Sequence, residues 1–569
     1  MICLGRLLSR EEAFMTAWPF HQKKESSKVG AGPVGLVAAL TLLQNGIPVR
    51  IIDKDPNPRI GQRGTAYWPR TLELLNFLNV PEVNDLGESV LPVQWYKYGS
   101  LTPLINPPAP PTMEPNPAVP FHNLRIMGQQ RLDVILKGHL AKFSCSVEMG
   151  TELCSFEQSD EGITTVLAKN GILERFNAKW MIGADGAKGV VRKQLGLTFL
   201  GETRPDDQLL TGDIRFKSDG IDRMHVHQFG NFSERGVALQ PSNEVGEDGW
   251  QFFIFGPELD KTKIAQSEDL VFETITSLIP AEITFDRVIW MSAFQANIRM
   301  VNKFSEGRVF VVGAASSVHS PMGGQGLNSG MQDAFNLGWK LALVEKGLAD
   351  KSLLETYTAE RLPVISELLE ITTAILNKAI VGEVSLAQSP KLFMLGINYR
   401  FSNIVLDEFV PPVEGRPINA YGEYDERYLE AGDRAPDAPN MLQVGRGESN
   451  VKTLFGLYRP WYHTVLVFAP SLADASPILG ALEAWDKSVV RSAVVLPSFT
   501  SVPDVASLAD LVLVDQDGYA YSAYLMEAGK TTVSVIRPDG VVGAIVHGAK
   551  GVKKYFSKIF FDASIVSRL

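Results

Sequence analysis

Three glycine-rich stretches hold the residue types best suited to binding an anionic, dinucleotide-sized ligand. The first is Gly30-Ala31-Gly32-Pro33-Val34-Gly35. Gly32 lets the backbone approach a pyrophosphate, and a helix starting beyond it offers amides and the positive end of its dipole. Asp53 follows Gly30 by 23 residues, where a strand-end carboxylate can receive ribose hydroxyls. The second stretch is Gly183-Ala184-Asp185-Gly186, with Arg192 six residues beyond Gly186. The third spans residues 307–342 and contains Gly313, Pro321 and the loop Gly323-Gly324-Gln325-Gly326, followed by Leu327 and Asn328. Backbone amides in such a loop can surround an anionic ring system. Each stretch alone is also what a tight turn in any α/β protein gives, and Asp53 alone is also an ordinary strand-end charge. In this order and spacing, all three together are hard to obtain by chance.

Positioning those residues takes strands and helices that the sequence pattern outlines. Leu36, Leu40 and Leu43 recur at helical spacing and stop at Asn45-Gly46. Residues 47–52 read as a short apolar strand ending at Asp53. A second helix over 69–78 starts with Pro69 and turns Leu72, Leu75 and Leu78 inward. Residues 102–120 are a proline-rich irregular excursion. A helix over roughly 132–143 follows Gln129, and residues 147–183 alternate as meander strands do. Residues 200–300 are rich in strand formers and aromatics such as Phe216, Phe229, Trp250 and Phe252, a composition suited to a sheet covering a ligand. A strand over 309–312 then feeds the third glycine stretch and a long helix over 326–346.

The expected fold class is α/β (α+β overall): a Rossmann-like domain interleaved with a β-sheet substrate domain, plus a C-terminal α/β domain. The boundaries are an atypical segment 1–28, a dinucleotide-binding domain in two parts (29–200 and 301–408), the sheet layer 201–300, a linker 409–440 and the tail 441–569. Within the tail, Asp517-Gly518 reads as a hairpin turn. The segment HQKKESSK ahead of Gly30 fits poorly, because a central parallel strand should be a hydrophobic run and only Val29 complies. The expectation is that the first strand lies elsewhere or is malformed, as a mis-assigned first exon or a decaying gene would make it; a targeting role for residues 1–28 is the lesser alternative.

Composition narrows the classes further. With 569 residues, two to four domains are expected. A net charge of −10, from 64 acidic and 54 basic side chains, leaves no basic surplus to neutralise phosphates, so a nucleic-acid partner is excluded. Three cysteines, Cys3, Cys145 and Cys154, provide neither a disulfide framework nor a metal cluster, and a reducing, cytoplasmic compartment is expected. No stretch approaches the roughly 20 apolar residues of a membrane span.

With these motifs the chain resembles the class A flavoprotein monooxygenases of the p-hydroxybenzoate and phenol hydroxylase type, over residues 29–380. The tail is similar to the thioredoxin-like domain of phenol hydroxylases, without a Cys-x-x-Cys, which leaves it a packing or homodimer-supporting role. The resemblance implies an FAD-binding domain in which Gly30, Gly32, Gly35 and Asp53 hold the ADP half. Arg63 and Arg70-Thr71-Leu72-Glu73 match the family's second flavin-contacting segment, and Gln129 matches a glutamine beside the pyrophosphate. Asp185 would serve FAD and NAD(P)H together. Gly313, Pro321 and the amides of Gly324, Gly326, Leu327 and Asn328 would border the isoalloxazine. The implied reaction uses NAD(P)H and O2 to hydroxylate a phenolic or polyketide-type aromatic through a flavin C4a-hydroperoxide. Acid–base candidates are Tyr67, His225 and His227; for the histidines a surface or strand-pairing role is the competing reading, and His319 reads as structural.

Three departures stand against the family pattern. Gly313-Ala314 replaces Gly-Asp, Ser316-Ser317 replaces Ala-His, and Gly189 replaces a serine. Losing the aspartate that accepts a hydrogen bond from the flavin ribitol costs about 1.5–3 kcal/mol, or about 10- to 150-fold in affinity. Epoxidation, ring expansion or oxidative decarboxylation on the same scaffold is an alternative outcome. A flavin-poor pseudoenzyme or binding protein is another.

Overall fold

A computed structural model describes residues 2–3, 26–104, 111–380, 389–411, 415, 417–444, 451–498 and 509–561. Residues 4–25 and 105–110, parts of the atypical segment and the proline-rich excursion, lie outside them. The leucine period after Gly35 forms the Pro33–Gln44 helix, with Gly32 at its N-cap. The unpromising segment before Gly30 contributes a strand after all. Ser26–Val29 runs parallel to Met181–Gly183, which runs parallel to Val309–Val311. On its other side Ile2–Cys3 pairs antiparallel with both Ser26–Val29 and Arg50–Asp53, within a seven-stranded sheet. The three glycine-rich stretches therefore leave the carboxyl ends of three neighbouring parallel strands, where open α/β sheets place their ligands.

The interleaved layer is a second seven-stranded sheet. Its spine is the long antiparallel pair Leu200–Lys217 and Thr284–Met300. Gly249–Phe255, Gly236–Pro241 and Val226–Gly230 continue it on one side. On the other edge Ser317–Val318 pairs with Thr284–Met300, tying the sheet to the third glycine stretch. Register assigns the faces, since cross-strand partners point the same way. His227, Leu239 and Phe252 are partners in succession and bury their face against the Glu268–Leu278 helix. Asp213, Gln251 and Gln240, also successive partners, occupy the opposite face, toward the glycine stretches.

In the tail, His463–Phe468 lies between a parallel Val490–Pro497 and an antiparallel Thr532–Ile536, and Val542–Val546 pairs antiparallel with Thr532–Ile536. Asp517-Gly518 is not a hairpin. Leu511–Asp515 pairs with Val490–Pro497 and Met441–Val444, whereas the next strand, Thr532–Ile536, pairs with His463–Phe468. The chain turns at Gly518, with φ +76°, into the Tyr519–Ala523 helix. The segment expected as a linker is packed between the two halves. Arg434 is buried, its Nε 2.8 Å from Glu73 Oε1, and Gly432 N donates to Val542 O. Among the described residues no helix is long and apolar enough to cross a membrane.

Candidate active site

The first two glycine stretches touch. Gly30 has φ +90°, and a Cβ there would collide with the Ala184 carbonyl oxygen, so only glycine fits. Asp53 is buried with its carboxylate anchored by backbone amides, Ala31 N donating to Oδ2 at 2.7 Å and Asp55 N to Oδ1 at 3.0 Å. Asp185 accepts from Val191 N at 2.9 Å, while its Oδ1 is buried without a hydrogen bond. A Cβ on Gly189 would strike the Asp185 carboxylate, which gives the glycine at that position a local reason.

The third stretch is pinned from below. Gly313, at φ +57°, donates its N–H to Asp333 Oδ2 at 3.1 Å, and Asp333 Oδ1 accepts from Arg361 Nε at 2.7 Å. Ala314 beside it is exposed. Gly323 and Gly324 both take positive φ, and Asn328 clamps the loop. Its Oδ1 accepts from Trp68 N at 3.0 Å, and its Nδ2 donates to Ala66 O at 2.9 Å and Gly324 O at 2.8 Å. Leu327 lies against Gly64, and Gly326 leaves room for the His319 ring. Burial pushes the His319 imidazole down to about 4. Pro321 is exposed at the mouth of the loop.

Between the stretches and the second sheet runs the segment holding Arg63, which sits at φ +51° with its guanidinium 4.7 Å from the Trp290 ring centre. Asp213 accepts from Gln62 N at 2.8 Å and from Gln62 Nε2 at 3.0 Å. Ser242 Oγ donates to Gln62 Oε1, Gln251 Nε2 donates to Arg63 O at 3.0 Å, and Gln129 N donates to Gln62 O. Burial pushes the Asp213 carboxyl up to about 6, with the two Gln62 donors opposing it. The sheet thus holds Arg63 in its left-handed conformation through hydrogen bonds on both sides.

Not all expected residues gather here. Arg70 and Glu73 pair with each other at 2.9 Å and face the tail, Arg70 Nη2 donating to Asp539 O. His227 lies on the outer face, its Nδ1 3.1 Å from Tyr96 Oη and its Nε2 2.8 Å from Asp222 O. His225 sits on Asp222 at 2.9 Å. Tyr67 is fully buried with no hydrogen bond to its hydroxyl, and burial, then the Asp133 and Glu244 carboxylates, raise it well above its usual value. Sequence reasoning missed Gln62, Asp213, Gln251 and Trp290; an acid within the strand-like run Leu209-Leu210-Thr211-Gly212-Asp213-Ile214 was the one available signal.

Residues 28–372 match the family model for an FAD binding domain. The chain belongs to the class A FAD-dependent aromatic hydroxylases. It is 30% identical over 548 residues to a flavin-dependent monooxygenase of Mycobacteroides abscessus, covering 93% of this chain and 98% of that one. It is 27% identical over 589 residues to pentachlorophenol 4-monooxygenase of Sphingobium chlorophenolicum, covering 93% and 96%. Among solved structures, aklavinone-11 hydroxylase in complex with FAD and aklavinone shares the fold, with TM-score 0.71, 22% identity and coverage of 94% and 98%.

The groove fits the cofactor that defines this family. A cradle that a Cβ on Gly30 would fill, the Gly32 helix N-cap and the unpartnered Asp185 Oδ1 suit a dinucleotide with hydroxyl donors and a dianionic centre. Among the described residues no cluster of metal-ligating side chains is present.

Proposed function

We propose that this FAD-dependent monooxygenase hydroxylates a phenolic or polyketide-type aromatic compound, taking electrons from NAD(P)H and an oxygen atom from O2. The observation that carries this reading is the convergence of three glycine stretches, at the ends of adjacent parallel strands, on the polar face of the second sheet. Gly30, Gly32, Gly35 and Asp53 would hold the ADP half of FAD, with Gln129 beside its pyrophosphate, Arg63 in a flavin-contacting segment and Asp185 serving FAD and NAD(P)H together. Gly313, Gly324, Gly326, Leu327 and Asn328 would line the isoalloxazine, with Pro321 at the mouth. Bound FAD supplies the redox chemistry with dioxygen. The protein's part is to orient the ring, exclude water and hold the segment carrying Arg63.

On the polar face of the second sheet Gln251 Oε1, which has no hydrogen bond, and half-buried Gln240 give polar groups that can meet an oxygenated ring, and relatives named for pentachlorophenol and 6-methylpretetramide support an aromatic substrate. The placement of His225 and His227 on Asp222, away from that face, favours binding and orientation over histidine acid–base work. The tail's mixed sheet, with parallel Val490–Pro497 on one side of His463–Phe468 and the antiparallel pair Thr532–Ile536 and Val542–Val546 on the other, supports a thioredoxin-like reading with a packing role.

An absorbance spectrum before and after adding FAD and desalting tests the first half of the reading. A retained, protein-shifted flavin spectrum, followed by NAD(P)H consumption coupled to an oxygenated product from phenols, is the expected result. Protein that stays colourless would favour the flavin-poor reading, for which exposed Ala314 is the supporting observation. Ala314→Asp is expected to tighten FAD binding by about 10- to 150-fold, the worth of one charge-assisted hydrogen bond. A fluorescence titration with unchanged affinity would place residue 314 away from the ribitol.

A further inference from the structure

Arg59 matches no family motif quoted above, yet its guanidinium occupies an electrostatically awkward place. A Cβ on Gly32 would lie 2.8 Å from Arg59 Nη1, and Gly32 caps the N-terminus of Pro33–Gln44. The cation therefore sits over the positive end of a helix dipole, where an anion belongs. It also bears on a second cation: burial, and then the charge of Arg59, push the Arg63 guanidinium down.

The contacts that hold Arg59 are long. Nη2 is 3.3 Å from Asp53 Oδ2, with the Arg59 side chain one-third exposed, and Nε is 3.9 Å from Asp55 Oδ2. Asp53 is already anchored by the Ala31 and Asp55 amides and does not need Arg59 to stay in place. A helix N-terminus and two guanidinium groups facing one cleft repel each other in the protein alone. They become favourable together once a dianion lies among them.

We propose that Arg59 is a cation of the FAD pyrophosphate cradle, and that it shifts this chain's grip on the flavin toward the ADP half, offsetting the ribitol partner missing at Ala314. Selectivity for FAD over flavins that lack the ADP moiety follows, since riboflavin would meet neither Arg59 nor the helix N-terminus.

The test compares the full-length wild type with Arg59→Gln and Arg59→Lys, titrating FAD and riboflavin by flavin fluorescence at low and high salt, with melting of the flavin-free proteins alongside. Arg59→Gln is expected to weaken FAD about 10- to 100-fold, to flatten the salt dependence and to leave riboflavin unchanged. Arg59→Lys should recover part of the loss, the charge without the planar fork. The flavin-free Arg59→Gln protein should melt close to the wild type, because the contacts to Asp53 and Asp55 that it loses are long and partly exposed and a repulsion goes with them. Equal FAD affinity in wild type and Arg59→Gln would overturn the proposal. So would an equal loss for FAD and riboflavin, or a markedly lower melting temperature without flavin, either of which makes Arg59 structural. A wild type that binds no FAD would instead sink the FAD reading itself, and is told apart by that control.

Discussion

Glu360→Gln is expected to lower the free energy of unfolding by about 3–5 kcal/mol, the usual consequence of stranding buried charges. Glu360, in the Glu355–Ile380 helix, is fully buried and accepts from Arg537 Nη1 at 2.8 Å and Nη2 at 2.9 Å. It also accepts from Lys340 Nζ at 2.7 Å and Asn336 Nδ2 at 2.6 Å. Those partners come from both halves of the molecule: Lys340 and Asn336 from the long helix after the third glycine stretch, Arg537 from the tail. The amide would leave two buried cations facing Asp539, which Arg537 Nε meets at 3.0 Å. Burial already pushes the Lys340 ammonium down to about 8, with Glu360 opposing that shift. Without Glu360 it would release its proton more readily still, so the penalty should shrink between pH 6 and pH 9. Urea unfolding at both pH values checks this. A loss below about 1 kcal/mol at pH 6 would mean that water reaches the cluster and screens it as at a surface.

The cofactor half of the site was legible because its requirements fall on residue type at fixed separations. Gly30 must be glycine to clear Ala184, Gly313 and Gly324 must accept positive φ, and Asp53 must end the strand after the first helix. The strand ahead of Gly30 was not legible. Its residues lack the apolar run expected of a central strand, and its place is settled by pairing with Met181–Gly183, far along the chain. Asp213 and Gln62 escaped for the same reason: they meet across 151 positions, a distance no local pattern encodes. His227 could have been placed better. It is two residues from Phe229, and alternation puts the two on one face, which a phenylalanine at that point marks as the apolar one.

In the tail, the alternation of strand-like and helical runs was readable, but which strands are neighbours was not. Asp517-Gly518 therefore suggested that its flanking strands pair, whereas Thr532–Ile536 pairs with His463–Phe468. The joint between the halves was opaque for a further reason. Arg434, Arg537 and Asp539 look like loop charges in sequence, and only the folded pairing with Glu73 and Glu360 shows them as interior residues.

The same joint should weaken in acid through His463. The imidazole begins the His463–Phe468 strand and is fully buried among Trp339, Tyr555, Phe556 and Phe560, with ring centres 5.3 Å away for Trp339 and 5.6 Å for Phe556. Neither ring nitrogen has a hydrogen bond among the described residues. Burial, and then the Arg537 charge, push it down to about 3, whereas an unfolded histidine titrates near about 6.5. Between those values the unfolded chain carries a proton that the folded chain refuses. Stability from this residue is thus complete above about pH 6.5 and falls by about 1.4 kcal/mol for each unit of acidification until about pH 3. His463→Leu keeps the site apolar and removes the proton uptake. Near pH 8 the variant should match or slightly exceed the wild type, since two unpaired buried nitrogens are gone. At pH 5 it should lead by about 2 kcal/mol in denaturant unfolding. Taking the difference between the two curves cancels every other titrating group, so the slope isolates one ring. Parallel curves would mean that His463 titrates at its ordinary value and is hydrated. A diverging pair would make the aromatic pocket behind Trp339 the acid-sensitive part of the joint, next to the cation that Glu360 holds.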